Sequence, residues 1–241
     1  MLWLRSFAFN LAFYLMSALI NIAATPLFLA PRLWTVWAMR QWSRLTLWLL
    51  RVIAGTHYEI RGQVPKGGVL IAAKHQSMWD TIVMTAILND PAMVLKRELL
   101  WVPYYGWYSM KTRMIAIDRG AGASAIRRLI AQGKAAIADK RPIVIFPEGH
   151  RMSPGEAPDY KPGVAALYRQ LGVACVPVAV NSGLYWARHG FLRRPGTIII
   201  EFLDPIPAGL DRAGFMAQLE GAIEPATARL LAQGGFHESP E

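Results

Sequence analysis

Residues 6 to 31, SFAFNLAFYLMSALINIAATPLFLAP, contain no charged side chain. At about 1.5 Å per helical residue the run could cross a hydrocarbon layer of about 30 Å, so the chain must bury this segment in lipid or against a large apolar surface. Its apolar length exceeds the roughly 7 to 15 residues of a signal-peptide core, and no clear small-residue cleavage site precedes the next helix. Pro26 ends or kinks the helix, and Asn10 and Asn21 weaken it as a lipid-facing span. The next stretch, RLWTVWAMRQWSRLTLWLLRVIAG, reads as a second helix ending near Gly55. At 100° per residue its Arg40, Arg44 and Arg51 fall within about 40° of one another, a basic stripe suited to reaching lipid phosphates. Residues 1–56 are therefore expected to form a membrane-associated helical hairpin, either spanning or lying in one leaflet.

Charge and composition support an interface. Lys and Arg outnumber Asp and Glu by 26 to 16, and half of the resulting +10 lies in residues 1 to 61. Five of the nine tryptophans share that quarter, which favours a bilayer with anionic phospholipids over nucleic acid as partner. Cys175, in the apolar stretch VACVPVAV, is the chain's one cysteine. No internal disulfide is possible, and a core thiol in a reducing compartment is expected.

From Tyr58 short β-like runs alternate with helical ones, which predicts an α/β fold over residues 57–241, a mixed sheet flanked by helices. The strands fall at 57–61, 68–73, 92–96, 113–117, 142–146, 174–180 and 196–203. Helices are expected at 78–88, 98–109, 121–138, 162–171 and 212–232. In such sheets chemistry gathers where strands end and helices begin.

Three strand ends carry reactive side chains. KHQSMWDT follows the strand 68–73 and puts His75 at its mouth, with Asp80 in the first helical turn. Asp80 could orient the imidazole, and it also fits a capping box with Ser77 as N-cap. IVIFPEGHRMS ends a second strand with Glu148, Gly149 and Arg151; Arg151 offers a forked phosphate donor. RMIAIDRGAGAS ends a third with Asp118 and Arg119 before a Gly-rich helix start, a natural anion site. GAGASA matches G-x-G-x-x-A, but the acid that would read a ribose is out of place, since Asp139 precedes the next strand. Neither a P-loop, an H-E-x-x-H motif nor a G-x-S-x-G elbow is present, and no metal constellation is visible.

Taken together these stretches resemble the glycerolipid acyltransferase family, most closely its bacterial 1-acyl-sn-glycerol-3-phosphate acyltransferases. The family's NHxxxxD appears as KHQSMWD, FPEGTRS as FPEGHRMS and FIDR as AIDR. The strand VPVAV ending in Asn181 and the run KRELLWVPYYG are similar to two further blocks, in the same order over residues 57 to 205. The chain departs from the pattern at Lys74, where Asn is usual, and at His150, where Thr is usual.

The resemblance implies that His75 deprotonates the free hydroxyl of a lysophospholipid while Asp80 orients the ring. The alkoxide then attacks the thioester of acyl-CoA or acyl carrier protein, with no other cofactor. It implies that Glu148 and Gly149 place the acceptor, and that Lys96, Arg119 and Arg151 hold its phosphate. The oxyanion would be held by backbone N–H groups. Lysophosphatidic acid is the expected acceptor and phosphatidic acid the product, at the cytoplasmic face of a bacterial inner membrane. Two other readings stay open: acylation of a different lysolipid such as lyso-ornithine lipid, served by His150 and the basic loop 187–196, and a non-catalytic lipid-binding adaptor.

Overall fold

A computed structural model describes residues 1–118, 120 and 122–236. Two helices, α1 (Leu2–Ala23) and α2 (Arg32–Leu49), form the expected hairpin. Pro26 sits in a short 3-10 turn, Thr25–Phe28, that ends the first arm. The second arm continues as a π-turn over Leu50–Ala54 and stops at Gly55, whose φ of 75° is a left-handed cap that glycine adopts without steric cost.

The strands β1 (Thr56–Arg61), β2 (Leu70–Ala73), β3 (Ala92–Lys96), β4 (Ile115–Ile117), β5 (Ile143–Ile145), β6 (Cys175–Val180) and β7 (Gly196–Phe202) lie within two residues of their expected limits. Helices α3 (Met78–Ile87), α5 (Gly122–Ala138), α6 (Gly163–Leu171) and α7 (Arg212–Gln233) match as closely. The expected helix 98–109 is instead a 3-10 turn over Arg97–Trp101 followed by α4 (Tyr105–Lys111). Pro103 interrupts it, because a ring nitrogen donates no helical hydrogen bond and disfavours helical geometry in the residue before it.

Among the described residues the strands form one sheet in the order β1-β7-β6-β2-β5-β3-β4. Every pairing is parallel except β6 with β7. The carboxyl ends of β2, β3, β4, β5 and β6 therefore share one edge. Because β7 and β1 run the other way, β1 begins on that same edge, where α2 delivers the chain.

Side-chain alternation sorts the sheet's apolar residues between two layers. Ile71, Ala73, Val176, Val178 and Val180 pack with Trp79 and Ile82 of α3 and with Phe9, Leu47 and Leu50 of the N-terminal arms. Leu70, Ala72, Ile143 and Cys175 pack on the other side with Leu129, Leu167, Phe215 and Leu219 of α5, α6 and α7. Central β2 and β6 are buried along their whole length, as parallel strands covered on both faces must be. Cys175 is a buried core thiol, which burial pushes up to about 12.

The arms share a continuous core with the sheet. Phe9 and Phe13 pack edge-on to Trp186 at 5.4 and 6.1 Å, Asn10 Nδ2 donates to Phe191 O (3.1 Å), and Arg193 N donates to Ser6 Oγ (2.9 Å). The basic stripe is also partly spent on protein. Arg40 donates to the carbonyls of Ala86, Ile87 and Leu88 at 3.2, 3.4 and 3.0 Å, capping the end of α3. Arg44 and Arg51 remain exposed.

Candidate active site

The loop between β2 and α3 is built from contacts within five residues. Ser77 Oγ accepts from Trp79 N at 3.1 Å, and Asp80 Oδ2 accepts from Ser77 N and Gln76 N, each at 2.8 Å. That is the capping box, and the same oxygen also lies 2.9 Å from His75 Nδ1. Cap and ring orientation thus converge on one carboxylate oxygen. The other, Oδ1, accepts from Ser182 Oγ at 2.5 Å, so this buried carboxylate is fully satisfied.

A carboxylate acceptor at Nδ1 places the imidazole proton there and leaves the Nε2 lone pair to act as a base. The ring stacks on Phe146 at 4.0 Å, and the side chain keeps 13% exposure. Among the described residues no protein group bonds Nε2, so this nitrogen is left able to bond a group that enters from outside.

Strand alternation continues past Ala73. His75 takes the side of Ile71 and Ala73, against Phe146, and Lys74 takes the side of Leu70 and Ala72, toward α7. Lys74 Nζ lies 2.8 and 2.9 Å from the carboxylate oxygens of Glu224 and 2.6 Å from Glu148 Oε1. The Glu148 contact is an ion pair outside hydrogen-bonding angles. Tyr160 Oη donates to Glu224 Oε1 at 2.6 Å, closing the cluster. The residue that breaks the family pattern before the histidine is thus fully used.

The turn after β5 grips the histidine loop from the other side. Glu148 Oε2 accepts from His75 N (3.1 Å), and Met152 N donates to His75 O (2.7 Å). Gly149 has φ 72°, the left-handed conformation that turns the chain back so that its N–H donates to Phe146 O at 2.9 Å. Burial pushes the Glu148 carboxyl up to about 7, against the opposing pull of the Lys74 ammonium and the His75 N–H.

The expectation that Glu148 contacts a substrate hydroxyl meets a carboxylate with 0% exposure whose partners are Lys74 and His75. Its geometry serves to hold the loop. Arg151 is partly exposed, with Nη1 3.5 Å from Arg188 O. Lys96 is exposed at the end of β3, on the same edge but with β5 lying between β3 and β2. Arg119 lies outside the described residues; its neighbour Asp118 pairs with Arg97 at 2.8 Å. Asn181 is structural, accepting from Ile199 N (2.8 Å) and donating to Leu230 O (3.2 Å). Of the basic loop 187–196, Arg193 is buried with its guanidinium 4.4 Å from the Trp186 ring. Ser182 and Glu224 were missed. The one signal for Ser182 is its place just past the end of β6, beside β2.

The sequence profile of the Acyltransferase family matches residues 56–181, which hold His75, Asp80 and Glu148. The chain is 38% identical over 162 residues to a 1-acyl-sn-glycerol-3-phosphate acyltransferase of Pseudomonas aeruginosa, covering 66% of this chain and 63% of that protein. It is 31% identical over 203 residues to a lyso-ornithine lipid O-acyltransferase of the same organism, covering 75% and 77%. The fold matches the crystal structure of the 1-acyl-sn-glycerophosphate acyltransferase PlsC from Thermotoga maritima with a TM-score of 0.76 over the full length of both chains, at 19% identity.

Proposed function

Given that the chain belongs to the acyltransferase family, we propose that it transfers a fatty acyl group from a thioester to the sn-2 hydroxyl of lysophosphatidic acid. The observation that carries this reading is the dyad: a buried Asp80 aligns His75 and leaves Nε2 open at the sheet edge. His75 Nε2 takes the hydroxyl proton as the oxygen attacks the thioester carbonyl. The tetrahedral intermediate collapses, the C–S bond breaks, and the imidazolium returns the proton to the departing thiolate. The products are phosphatidic acid and the free thiol of coenzyme A or acyl carrier protein, with no covalent acyl-enzyme.

Glu148 is a positioning residue in this scheme. Arg151 and Lys96 supply the cationic edge for the acceptor's phosphate, a role that the family resemblance extends to Arg119, and Gly149 shapes the turn beside Arg151. Residues 1–56 act as the anchor and residues 57–241 as the catalytic body. From Trp3, whose ring is 5.3 Å from Phe191, to Asn21, whose carbonyl accepts from Tyr108 Oη, α1 touches the body. Such a helix lies along a leaflet rather than crossing it. The assignment is to a bacterial inner membrane, with the catalytic body on the cytoplasmic face.

A second acceptor is favoured by one observation, the longer shared coverage with the lyso-ornithine lipid enzyme. The two differ in chemistry, because an ornithine headgroup carries no phosphate. The deciding assay is thiol release by purified protein with lysophosphatidic acid or lyso-ornithine lipid and matched donors. His75→Ala is expected to abolish release with fold and vesicle binding intact, a loss of at least about 10²-fold. Retained turnover would remove His75 as the base. No acyl transfer to any lysolipid by the native chain would favour the adaptor reading.

A further inference from the structure

The 3-10 turn and helix after β3 expose a row of large apolar side chains: Leu99, Trp101, Val102, Tyr105, Trp107 and Met110. Trp101 is 81% exposed. A contiguous aromatic surface of this kind on a folded body marks a contact with something apolar. Its neighbours say what.

The patch is joined to the elbow between α1 and α2. Phe28 stacks on Tyr108 at 4.8 Å and meets Trp107 edge-on at 6.1 Å, while Lys111 Nζ donates to Phe28 O at 3.1 Å. Beside Phe28, the elbow residue Leu29 is 94% exposed, and Leu33 and Trp34 follow it at the start of α2. The two exposed surfaces are therefore continuous through Phe28. Basic residues outnumber the single acid, Glu98, around the patch: Lys96 and Arg97 stand before it and Lys111 and Arg113 after it, with Arg97 and Arg113 paired to Asp118 and Asp139 and Lys96 exposed. Tryptophan and tyrosine between cations is the composition of a headgroup-level contact with an anionic leaflet.

The segment is also closely packed on itself. A methyl group on Gly106 would lie 2.0 Å from Leu100 O, so turn and helix are pressed together backbone to backbone. Tyr104 holds a φ of 63°, which a non-glycine residue keeps only where its surroundings enforce it. The segment begins directly after Lys96, on the strand-end edge that carries His75.

We propose that residues 99–110 form a second membrane-inserting element, a wedge that seats the mouth of the active site on an anionic leaflet beside the hairpin elbow. The proposal rests on reading residues 1–56 as the anchor. It adds a function for a segment that the anchor does not contain. Lipid substrate would then reach Nε2 from the leaflet without crossing water.

The test uses the whole chain, in which native Cys175 is buried, with added cysteines placed one at a time at Trp101, Trp34 and Lys134 carrying an environment-sensitive fluorophore and the parent chain as the labelling control. The vesicles are phosphatidylglycerol and phosphatidylethanolamine with acyl-chain bromine as quencher. Labels at Trp101→Cys and Trp34→Cys are expected to be quenched, and that at Lys134→Cys, exposed on α5, is not. Trp101→Ser/Trp107→Ser should weaken partition onto these vesicles by about tenfold or more.

Quenching at Trp34→Cys without quenching at Trp101→Cys would overturn the wedge and leave the anchor standing. Quenching at Trp101→Cys alone would keep residues 99–110 in the leaflet but overturn their seating beside the elbow, and with it the proposal as stated. Silence at both would overturn both, and equal quenching at Lys134→Cys would overturn the wedge as a specific contact. A concentration-dependent blue shift at Trp101→Cys without vesicles would assign the patch to a second copy of the chain and refute the proposal.

Discussion

Replacing Lys74 by Met removes the one cation that the cluster holds among the described residues, leaving Glu148 sealed from solvent beside Glu224. The Nζ–Oε1 separation is 2.6 Å. At an effective dielectric of about 20 that distance corresponds to a gross attraction of about 6 kcal/mol. Desolvation of both ions offsets much of it, and deleting one partner of a buried pair typically costs about 3–5 kcal/mol. The variant can limit its loss by protonating Glu148, whose carboxyl is already pushed up to about 7. A cost near 3 kcal/mol is therefore expected at pH 8. Glu148→Gln alone should cost less, because an amide oxygen can still accept from His75 N.

The decisive quantity is the coupling in the cycle Lys74→Met, Glu148→Gln and the double variant, read from urea titrations in detergent. It should be about 2–3 kcal/mol at pH 8, where Glu148 is ionised, and should shrink toward pH 5.5, where the folded protein holds its proton. A coupling within about 0.5 kcal/mol of zero at pH 8, or one that grows on acidification, would refute the assignment of this pair as the electrostatic lock of the histidine loop.

Three further outcomes follow from the same geometry. Asp80→Asn keeps the shape of the carboxylate but not its charge, so thiol release should fall by about 10²- to 10⁴-fold with the fold retained; circular dichroism and the release assay read both. For Glu148, a raised folded value means the protein's stability relative to Glu148→Gln is highest below pH 4.5 and declines by about 3 kcal/mol as pH rises to about 7; a flat difference across that window would contradict the burial argument. Gly62→Ala should lower stability by about 2–4 kcal/mol in thermal melts, because φ is 73° and the added carbon would sit 2.0 Å from Phe202 O.

The histidine loop was legible because its geometry is local. A strand that ends, a serine that caps, and an acid at N3 are joined by hydrogen bonds spanning no more than five residues, and apolar alternation of period two placed the strands. The resemblance added the roles. What the chain does with Arg40 was not legible, since a stripe of arginines looks alike whether it faces phosphates or the carbonyl end of α3.

Local sequence, then, determined that a basic nitrogen stands at a strand end, and that a long uncharged run and a Trp-rich basic helix precede it. Only the tertiary structure decided what surrounds that nitrogen. The order β6-β2-β5 brings Ser182 to Asp80 across 102 residues and Glu148 to the His75 backbone across 73, and the packing of α7 brings Glu224 to Lys74 across 150. Strand order depends on the burial of whole faces, a sum over many weak contacts that no short stretch of residues encodes.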